Sequence, residues 1–121
     1  MSRESFQNAI HELETELMEM GEMVNNAIEQ AVLSLKEKNV VEAERVIADD
    51  IFINRKRWDI EEKSLALIVT QQPVAGDLRK LISLLNIIVD LERIADRITN
   101  ICERIVFLVT GKMESMDVSK Y

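Results

Sequence analysis

The sequence predicts an all-α protein that folds as an elongated antiparallel three-helix bundle. Its 121 residues contain three glycines and one proline but 47% hydrophobic residues, which describes one domain with few turns and a real core. Apolar residues recur at steps of three and four through segments of about thirty residues, the period of amphipathic helices. Two short breaks, at Asn39 and at residues 71–74, separate these segments. Because the connections are short, neighbouring helices must run antiparallel.

The first helix is predicted over residues 5–38, with Ser2 or Ser5 as its N-cap. Its apolar positions alternate between steps of four and three, which forms a heptad seam for packing against other helices. Gly21 lies inside this helix and indicates a close helix contact or a slight bend. The seam consists of Phe6, Ile10, Leu13, Leu17, Met20, Val24, Ala27 and Ala31.

The second helix is predicted over residues 40–70 and ends before Pro73, which disfavours the helical conformation at the preceding residue. A narrow polar stripe runs along it between two apolar ridges, so its polar groups lose water and need partners. The stripe is Asp50, Asn54, Arg57 and Glu61. The first ridge is Val46, Ile53, Ile60 and Leu67, and the second is Ile51, Trp58 and Leu65.

The third helix is predicted over residues 75–110, with Asp77 in its first turn and Gly111 as its C-terminal stop. Residues 1–111 therefore form the bundle, and residues 112–121 form a polar tail. The predicted core side of this helix is Leu84, Ile88, Leu91, Ala95, Ile98, Cys102 and Ile105. Glu92 and Asp96 lie at the boundary between the core side and an edge of arginines, formed by Arg79, Arg93, Arg97 and Arg104.

Glu92 and Asp96 interrupt an apolar face of the third helix and are the strongest candidates for a functional site. If the second and third helices fold back at residue 72 or 73, Asp50 and Asn54 lie level with them. Three carboxylates and an amide in one patch suit a hard or borderline cation such as Mg²⁺, Mn²⁺ or iron. In the alternative interpretation, three arginines neutralise the carboxylates through ion pairs and no metal binds. Those arginines are Arg57, Arg93 and Arg97.

Composition also excludes several classes of function. The net charge is −7, and residues 1–38 hold eight acidic and three basic side chains, which argues against a nucleic-acid partner. No signal peptide begins the chain and no apolar run is long enough to span a membrane. Cys102 is the only cysteine, which fits a reducing cytoplasm. His11 is the only histidine, and with no nucleophile motif or glycine-rich phosphate loop the chain is predicted not to be an enzyme.

Two segments, QQPVAGDLR at residues 71–79 and DLERIAD at residues 90–96, resemble the PhoU family of phosphate-uptake regulators. The resemblance implies a cytoplasmic regulatory protein without enzymatic activity. It implies that the protein signals phosphate sufficiency to two partners, the ATPase of a phosphate ABC transporter and a sensor histidine kinase. Two alternatives stay open: a metal-free helical oligomerisation module, and a regulator of potassium or sodium-coupled phosphate transport.

The resemblance also implies metal clusters of iron or zinc on motifs with an acidic residue, three others, then Asp. Glu92 and Asp96 match this motif, and Asp50 matches its first position on the second helix. Asn54 stands where the family usually has Asp, which removes one negative charge. Ala95 replaces a usual glycine, which should matter little inside a helix.

The usual PhoU protein has two such repeats, whereas this chain has one. Either the chain is a fragment, such as an N-terminal half, or a single-repeat homologue, or two copies associate to restore the arrangement of six helices. We expect a homodimer or a higher homo-oligomer. The ridge of Ile51, Trp58 and Leu65 motivates this expectation, because it is apolar surface that the bundle itself does not need to bury.

Overall fold

The computed structural model describes residues 1–112 and contains three helices. They are α1 (Arg3–Glu37), α2 (Val40–Gln71) and α3 (Ala75–Thr110). At 1.5 Å per residue each helix is about 50 Å long, so the bundle is elongated. The predicted all-α three-helix bundle is confirmed, although α1 begins two residues earlier and ends one residue earlier than predicted, and α2 ends one residue later.

Polar caps start the first two helices and fix the first connection. The Ser2 hydroxyl accepts a hydrogen bond from the Ser5 amide at 3.1 Å, so Ser2 is the cap of α1. α1 ends at Lys38, which adopts a left-handed conformation with φ 53°. Asn39 follows at once and its side-chain oxygen accepts from the Glu42 amide at 3.1 Å. Two residues therefore suffice to reverse the chain, which sets α1 and α2 antiparallel.

The second connection is held by backbone conformation instead of a side-chain cap. Gln72 ends α2 in the left-handed region at φ 44°, and Ala75 opens α3 at φ 51°. Val74, which precedes α3, makes no side-chain capping bond. At the far end Gly111 stops α3 at φ 72°, where its amide donates to the Phe107 carbonyl. The predicted stop at Gly111 is therefore confirmed.

The core lies along the common axis of the helices and consists of the predicted faces. Six of the eight seam residues of α1 are buried, and Leu17 and Ala27 are partly buried. All four residues of the first ridge of α2 are buried, as is the predicted core side of α3 except for the partly buried Leu91. The prediction omitted three buried hydroxyl residues, each of which donates to the carbonyl four residues earlier on its own helix. These are Ser34, Ser64 and Thr99.

None of the helices in the described part of the chain has the length and apolarity needed to cross a membrane. The predicted polar tail at residues 112–121 lies outside the described residues, apart from Lys112.

Candidate functional site

A polar cluster lies where α2 and α3 face each other, and one ion pair joins its two halves. An Arg57 guanidinium nitrogen lies 2.8 Å from a carboxylate oxygen of Glu92. Both side chains are about three-quarters buried, since 26% and 24% of their surfaces are exposed. α2 therefore presents its polar stripe to the Glu92 face of α3, as the predicted fold-back of the two helices requires.

The other members of the cluster are arranged around Arg57. The Asn54 amide donates to the Asp50 carboxylate over 3.5 Å, a long hydrogen bond within α2. Glu61 lies one turn beyond Arg57, with 4.0 Å between its carboxylate and the Arg57 Nε. That Nε is buried and makes no hydrogen bond among the described residues. The cluster thus has a cation at its centre, and this cation is a guanidinium.

The ion-pair interpretation holds for Arg57 but not for the other two arginines proposed for it. Arg93 and Arg97 are exposed on α3. In the part of the chain that the structure describes, neither has a carboxylate within ion-pair distance. The arginine edge of α3 is therefore a solvated basic surface, whereas Arg57 of α2 pairs with Glu92.

The predicted metal ligands have suitable chemistry, but one of them, Glu92, is already paired with Arg57. Asp50, Asn54 and Glu92 are half-buried on facing helices, and Asp96 is exposed beside them. Their oxygen atoms suit a hard or borderline cation. Nowhere in residues 1–112 do three His, Cys, Asp or Glu side chains come together as a ready-made site. Metal binding stays a prediction, and a cation that reached Glu92 would have to replace the guanidinium.

The second apolar ridge of α2 borders this cluster on the outside of the bundle. Ile51, Trp58 and Leu65 are 48%, 64% and 46% exposed, so the single chain leaves them in water. They follow one another at steps of seven, which places them on one line along α2. The sequence prediction that the bundle does not bury this ridge is confirmed.

A second exposed apolar line was not predicted. It runs along α3 through Ile87, Ile94, Ile101 and Leu108, whose exposed fractions are 43%, 42%, 48% and 63%. These residues also recur at steps of seven. A search of α3 for a second heptad line, beside the core line, would have found them in the sequence.

The remaining helix pair, α1 and α2, is joined by ion pairs. Glu16 of α1 lies 2.9 Å from Lys63 and 3.8 Å from Lys56, both on α2. The hydrogen bond that Lys63 donates to Glu16 raises the pKa of Lys63, and the nearby charges of Glu16, Asp59 and Glu12 add to this effect. Lys56 also pairs with Glu19, so the earlier lysine of α2 reaches a later residue of α1 than Lys63 does, as antiparallel helices require.

Comparison with known proteins identifies the family. The model of the PhoU domain matches residues 17–105. The chain belongs to the PhoU domain family. The match includes all of α2, most of α3 and the entire polar cluster. The PhoU domain of this chain is thus the unit that carries the candidate site.

Named relatives agree with this assignment. A protein of Aquifex aeolicus is 37% identical over 99 residues, which cover 82% of this chain and 45% of the relative. One of Clostridium acetobutylicum is 36% identical over 106 residues, 87% of this chain and 48% of the relative. One of Streptococcus pneumoniae is 34% identical over 111 residues, which cover 92% of this chain and 51% of the relative. Each is named a phosphate-specific transport system accessory protein PhoU homolog.

The chain spans about half the length of these relatives. No solved structure matches it.

Proposed function

We propose that this chain is a non-enzymatic regulator of phosphate uptake. The observation that carries the proposal is the PhoU domain match over residues 17–105, together with the shared name of its relatives. The regulator acts in the cytoplasm as a homo-oligomer. It signals phosphate sufficiency by binding the ATPase of a phosphate ABC transporter and a sensor histidine kinase through its helical faces.

The ridge of Ile51, Trp58 and Leu65 is the surface that we assign to these partners. It exposes a tryptophan, the residue type that most often contributes strongly to binding, and it borders the polar cluster. A partner on the ridge would therefore contact the surface whose charge changes when a cation binds. This links partner binding to the state of the cluster.

In the proposed regulator the polar cluster exchanges its guanidinium for a metal ion. Asp50, Asn54, Glu92 and Asp96 would hold the ion, and Arg57 would turn away from Glu92. Magnesium, manganese and iron are candidate ions because the ligands are oxygen atoms, and iron and zinc are candidates because the resemblance to the family implies them. A bound divalent ion would supply two positive charges where Arg57 supplies one.

Affinity capture from cells of the native organism, grown in high and in low phosphate, tests the regulatory role. We expect the chain to capture the transporter ATPase and the sensor kinase, and Trp58→Glu to abolish capture. Val41→Glu is the matched control, since Val41 is also an exposed apolar residue of α2 but lies far from the ridge. Recovery of neither partner would contradict the proposal. Recovery of a potassium or sodium-coupled phosphate transporter would establish the alternative role.

Metal titration of the protein purified without chelator tests the proposed ion exchange. Loss of both acidic ligands in Glu92→Ala with Asp96→Ala should remove binding of Mn²⁺, Fe²⁺ and Zn²⁺. Arg57→Ala should bind them roughly tenfold or more tightly, because it removes the competing cation.

The two variants thus change affinity in opposite directions, which general destabilisation could not do. Equal metal content in all three proteins would contradict metal binding at the cluster. The ion pair of 2.8 Å between Arg57 and Glu92 would then be its permanent form, in a metal-free helical module.

A further inference from the structure

All five positive charges of α3 lie at exposed positions. In the part of the chain that the structure describes, none of them has a carboxylate within ion-pair distance. In a chain whose net charge is −7, α3 therefore presents a row of cations to solvent. The five are Arg79, Lys80, Arg93, Arg97 and Arg104.

The carboxylates of α3 mostly lie elsewhere on the helix. Asp77, Glu92 and Glu103 are half-buried. Asp96 is exposed, but it follows Glu92 by one turn and so lies on the side of α3 that faces α2. Asp90 is the one carboxylate that lies among the cations. The outward side of α3 thus carries five positive charges and one negative charge.

An exposed apolar line runs beside these cations. Its members are between 42% and 63% exposed, and they recur at steps of seven over about 30 Å of the helix. Arg97 and Arg104 each lie three positions after an isoleucine of this line, which is about 60° around the helix. Lys80 continues the line by one further step of seven towards the start of α3. The line is Ile87, Ile94, Ile101 and Leu108.

The neighbouring edge of α1 extends the apolar surface. Gln7 of α1 donates to both carboxylate oxygens of Asp77, at 3.2 and 3.3 Å, so the line of α1 at steps of seven from Gln7 faces α3. Glu14 is an exposed carboxylate on this line, near the start of α3. Further along, Ile28 and Leu35 are 39% and 47% exposed. The second half of this edge is therefore apolar.

The other charges of α1 point in another direction. Glu22, Glu29 and Lys36 share a line that lies about 100° further around α1, on its outward side. In a bundle of three helices the outward sides of neighbouring helices diverge by about 120°. A flat surface that touches the outward side of α3 therefore does not contact these three residues.

We propose that the outward side of α3 lies on the surface of a lipid bilayer that contains anionic phospholipids. The arginines pair with headgroup phosphates, which the planar guanidinium binds through two parallel hydrogen bonds. The isoleucine line enters the boundary between headgroups and acyl chains, as the apolar face of an interfacial helix does. The helix lies along the membrane and does not cross it.

A bilayer fits this surface better than a soluble partner does. The outward side of a single helix is convex, whereas the strongest contacts between proteins are aromatic and arginine side chains held in pockets. Phe107 is the only aromatic residue of α3. A soluble polyanion would use the arginines and leave the isoleucines in water. A bilayer offers phosphate and hydrocarbon side by side along the whole helix.

The acidic charge of the remaining bundle does not oppose this contact strongly. The axes of packed helices are about 8–10 Å apart, and the Debye length at physiological salt is about 8 Å. Carboxylates on the outward sides of α1 and α2 are therefore largely screened from a membrane that touches α3. The five cations of α3 lie within one Debye length of it.

The inference is independent of the regulatory role, of metal binding and of oligomer formation. It uses two features that the proposed function leaves unassigned, the arginine edge and the second exposed apolar line. The ridge of Ile51, Trp58 and Leu65 stays available for protein partners.

Cosedimentation with vesicles tests the electrostatic part of the proposal. We expect the purified chain to bind vesicles of phosphatidylcholine mixed with phosphatidylglycerol, to bind phosphatidylcholine alone much more weakly, and to dissociate as salt rises. Arg97→Glu with Arg104→Glu should lower the affinity roughly thirtyfold or more. Arg45→Glu with Arg55→Glu is the matched control, because it makes the same charge change at exposed positions of α2 and should lower the affinity less than about threefold.

Either of two results would overturn the electrostatic part. An equal loss of affinity in the two charge variants would mean that net charge alone governs binding. A chain that binds soluble heparin but no vesicles would replace the bilayer with a soluble polyanion.

The apolar part has its own pair of variants. Ile94→Ser with Ile101→Ser should lower the affinity for the anionic vesicles roughly tenfold. Ile51→Ser with Leu65→Ser removes two apolar residues of similar exposure from α2 and should leave the affinity unchanged. All four positions are exposed, so circular dichroism should show the same helix content in both variants. Unchanged affinity in the first variant would overturn the insertion of the isoleucine line.

Tryptophan fluorescence locates the surface in contact. Trp58 is the only tryptophan and lies on α2, so we expect its emission to stay unchanged when anionic vesicles are added. Ile94→Trp in a Trp58→Phe background should instead shift its emission to the blue, because the new ring enters an apolar environment. A blue shift of Trp58 with none at position 94 would place the ridge on the membrane and overturn the assignment to α3.

Discussion

Arg57 is the residue on which the candidate site depends. Its guanidinium is largely removed from water and compensates Glu92 across the boundary between two helices. A partly buried carboxylate that loses its only close cation pays a desolvation cost without the matching attraction. Arg57 should therefore stabilise the folded chain when the site holds no metal ion. It should lower the affinity for a metal ion that competes for Glu92.

At this scale we predict that Arg57→Ala lowers the free energy of unfolding by about 1 kcal/mol in the absence of metal. The value is modest because about a quarter of each side chain is still exposed. Arg93→Ala is the control, since Arg93 is exposed and has no ion-pair partner among the described residues, and it should change stability by less than about 0.5 kcal/mol. Urea denaturation with chelator present measures both. An equal loss of unfolding free energy in both variants would show that the contact between Arg57 and Glu92 does not stabilise the fold.

At the scale of the elements, the turn between α1 and α2 depends on two consecutive residues with opposite roles. Lys38 adopts the left-handed conformation that costs an ordinary L-residue about 1 kcal/mol and that glycine adopts freely. Asn39 supplies the oxygen that accepts from the Glu42 amide, one of the free amides in the first turn of α2. The turn is thus strained at one position and stabilised at the next.

We therefore predict that Lys38→Gly raises the free energy of unfolding by roughly 1 kcal/mol and that Asn39→Ala lowers it by roughly 1 kcal/mol. The midpoint temperature of unfolding should shift in the same directions. Thermal unfolding followed by circular dichroism measures both shifts. Glu37→Gly is the control for flexibility, since Glu37 is still helical and glycine there should destabilise. A loss of stability in Lys38→Gly would mean that the left-handed conformation carries no strain.

The elements also show what the sequence could predict. Helix bounds followed from local chemistry, because Ser2, Asn39 and Gly111 cap or stop helices through their own side chains or backbone freedom. The fold-back that sets the polar stripe of α2 against the Glu92 face of α3, seen in the pair of Arg57 with Glu92, followed from the turn position and the helical period. The turn position and the helical period do not predict which side chains pair among those that lie at the same level. In the structure Arg57 reaches Glu92, whereas Asp96 is exposed. That outcome depends on rotamers and on small offsets between helices, which no sequence period contains.

Buried hydroxyls escaped prediction for a similar reason. Ser34, Ser64 and Thr99 read as polar residues in the sequence, but each satisfies its hydroxyl on its own helix and so needs no water. Small residues of this kind let helices approach closely. A binary polar and apolar pattern cannot distinguish them from solvated positions.

At the scale of the whole molecule, the three sides of the bundle differ in chemistry. Lysines of α2 pair with glutamates of α1, and the guanidinium of Arg57 on α2 pairs with Glu92 on α3. α3 also exposes the apolar line of Ile87, Ile94, Ile101 and Leu108. In the proposed function the side of α2 and α3 carries the cluster and its partner ridge.

The pH dependence of stability is also a property of the whole molecule. It follows from two groups, Cys102 and Lys63, that hold their protons to a higher pH in the folded chain than in the unfolded chain. Burial raises the pKa of the Cys102 thiol from its ordinary 9.0 to about 11, with a smaller contribution from the charge of Glu103. The hydrogen bond to Glu16 raises the pKa of Lys63 above 10.5. Above pH 9 the unfolded chain loses these protons first and binds fewer of them, so stability falls as pH rises.

We predict that the contribution of Cys102 to the free energy of unfolding is nearly constant up to about pH 9. It then falls with rising pH, by on the order of 2 kcal/mol at pH 11. Cys102→Ala should start lower, because it leaves a small cavity in the core, but it should lose much less stability between pH 9 and 11. Urea denaturation of both proteins across this range measures the two slopes. Lys63 contributes in the same direction to both, so the difference between the slopes isolates the thiol. Parallel slopes would mean that the thiol ionises as easily in the folded chain as in the unfolded one, which its burial forbids.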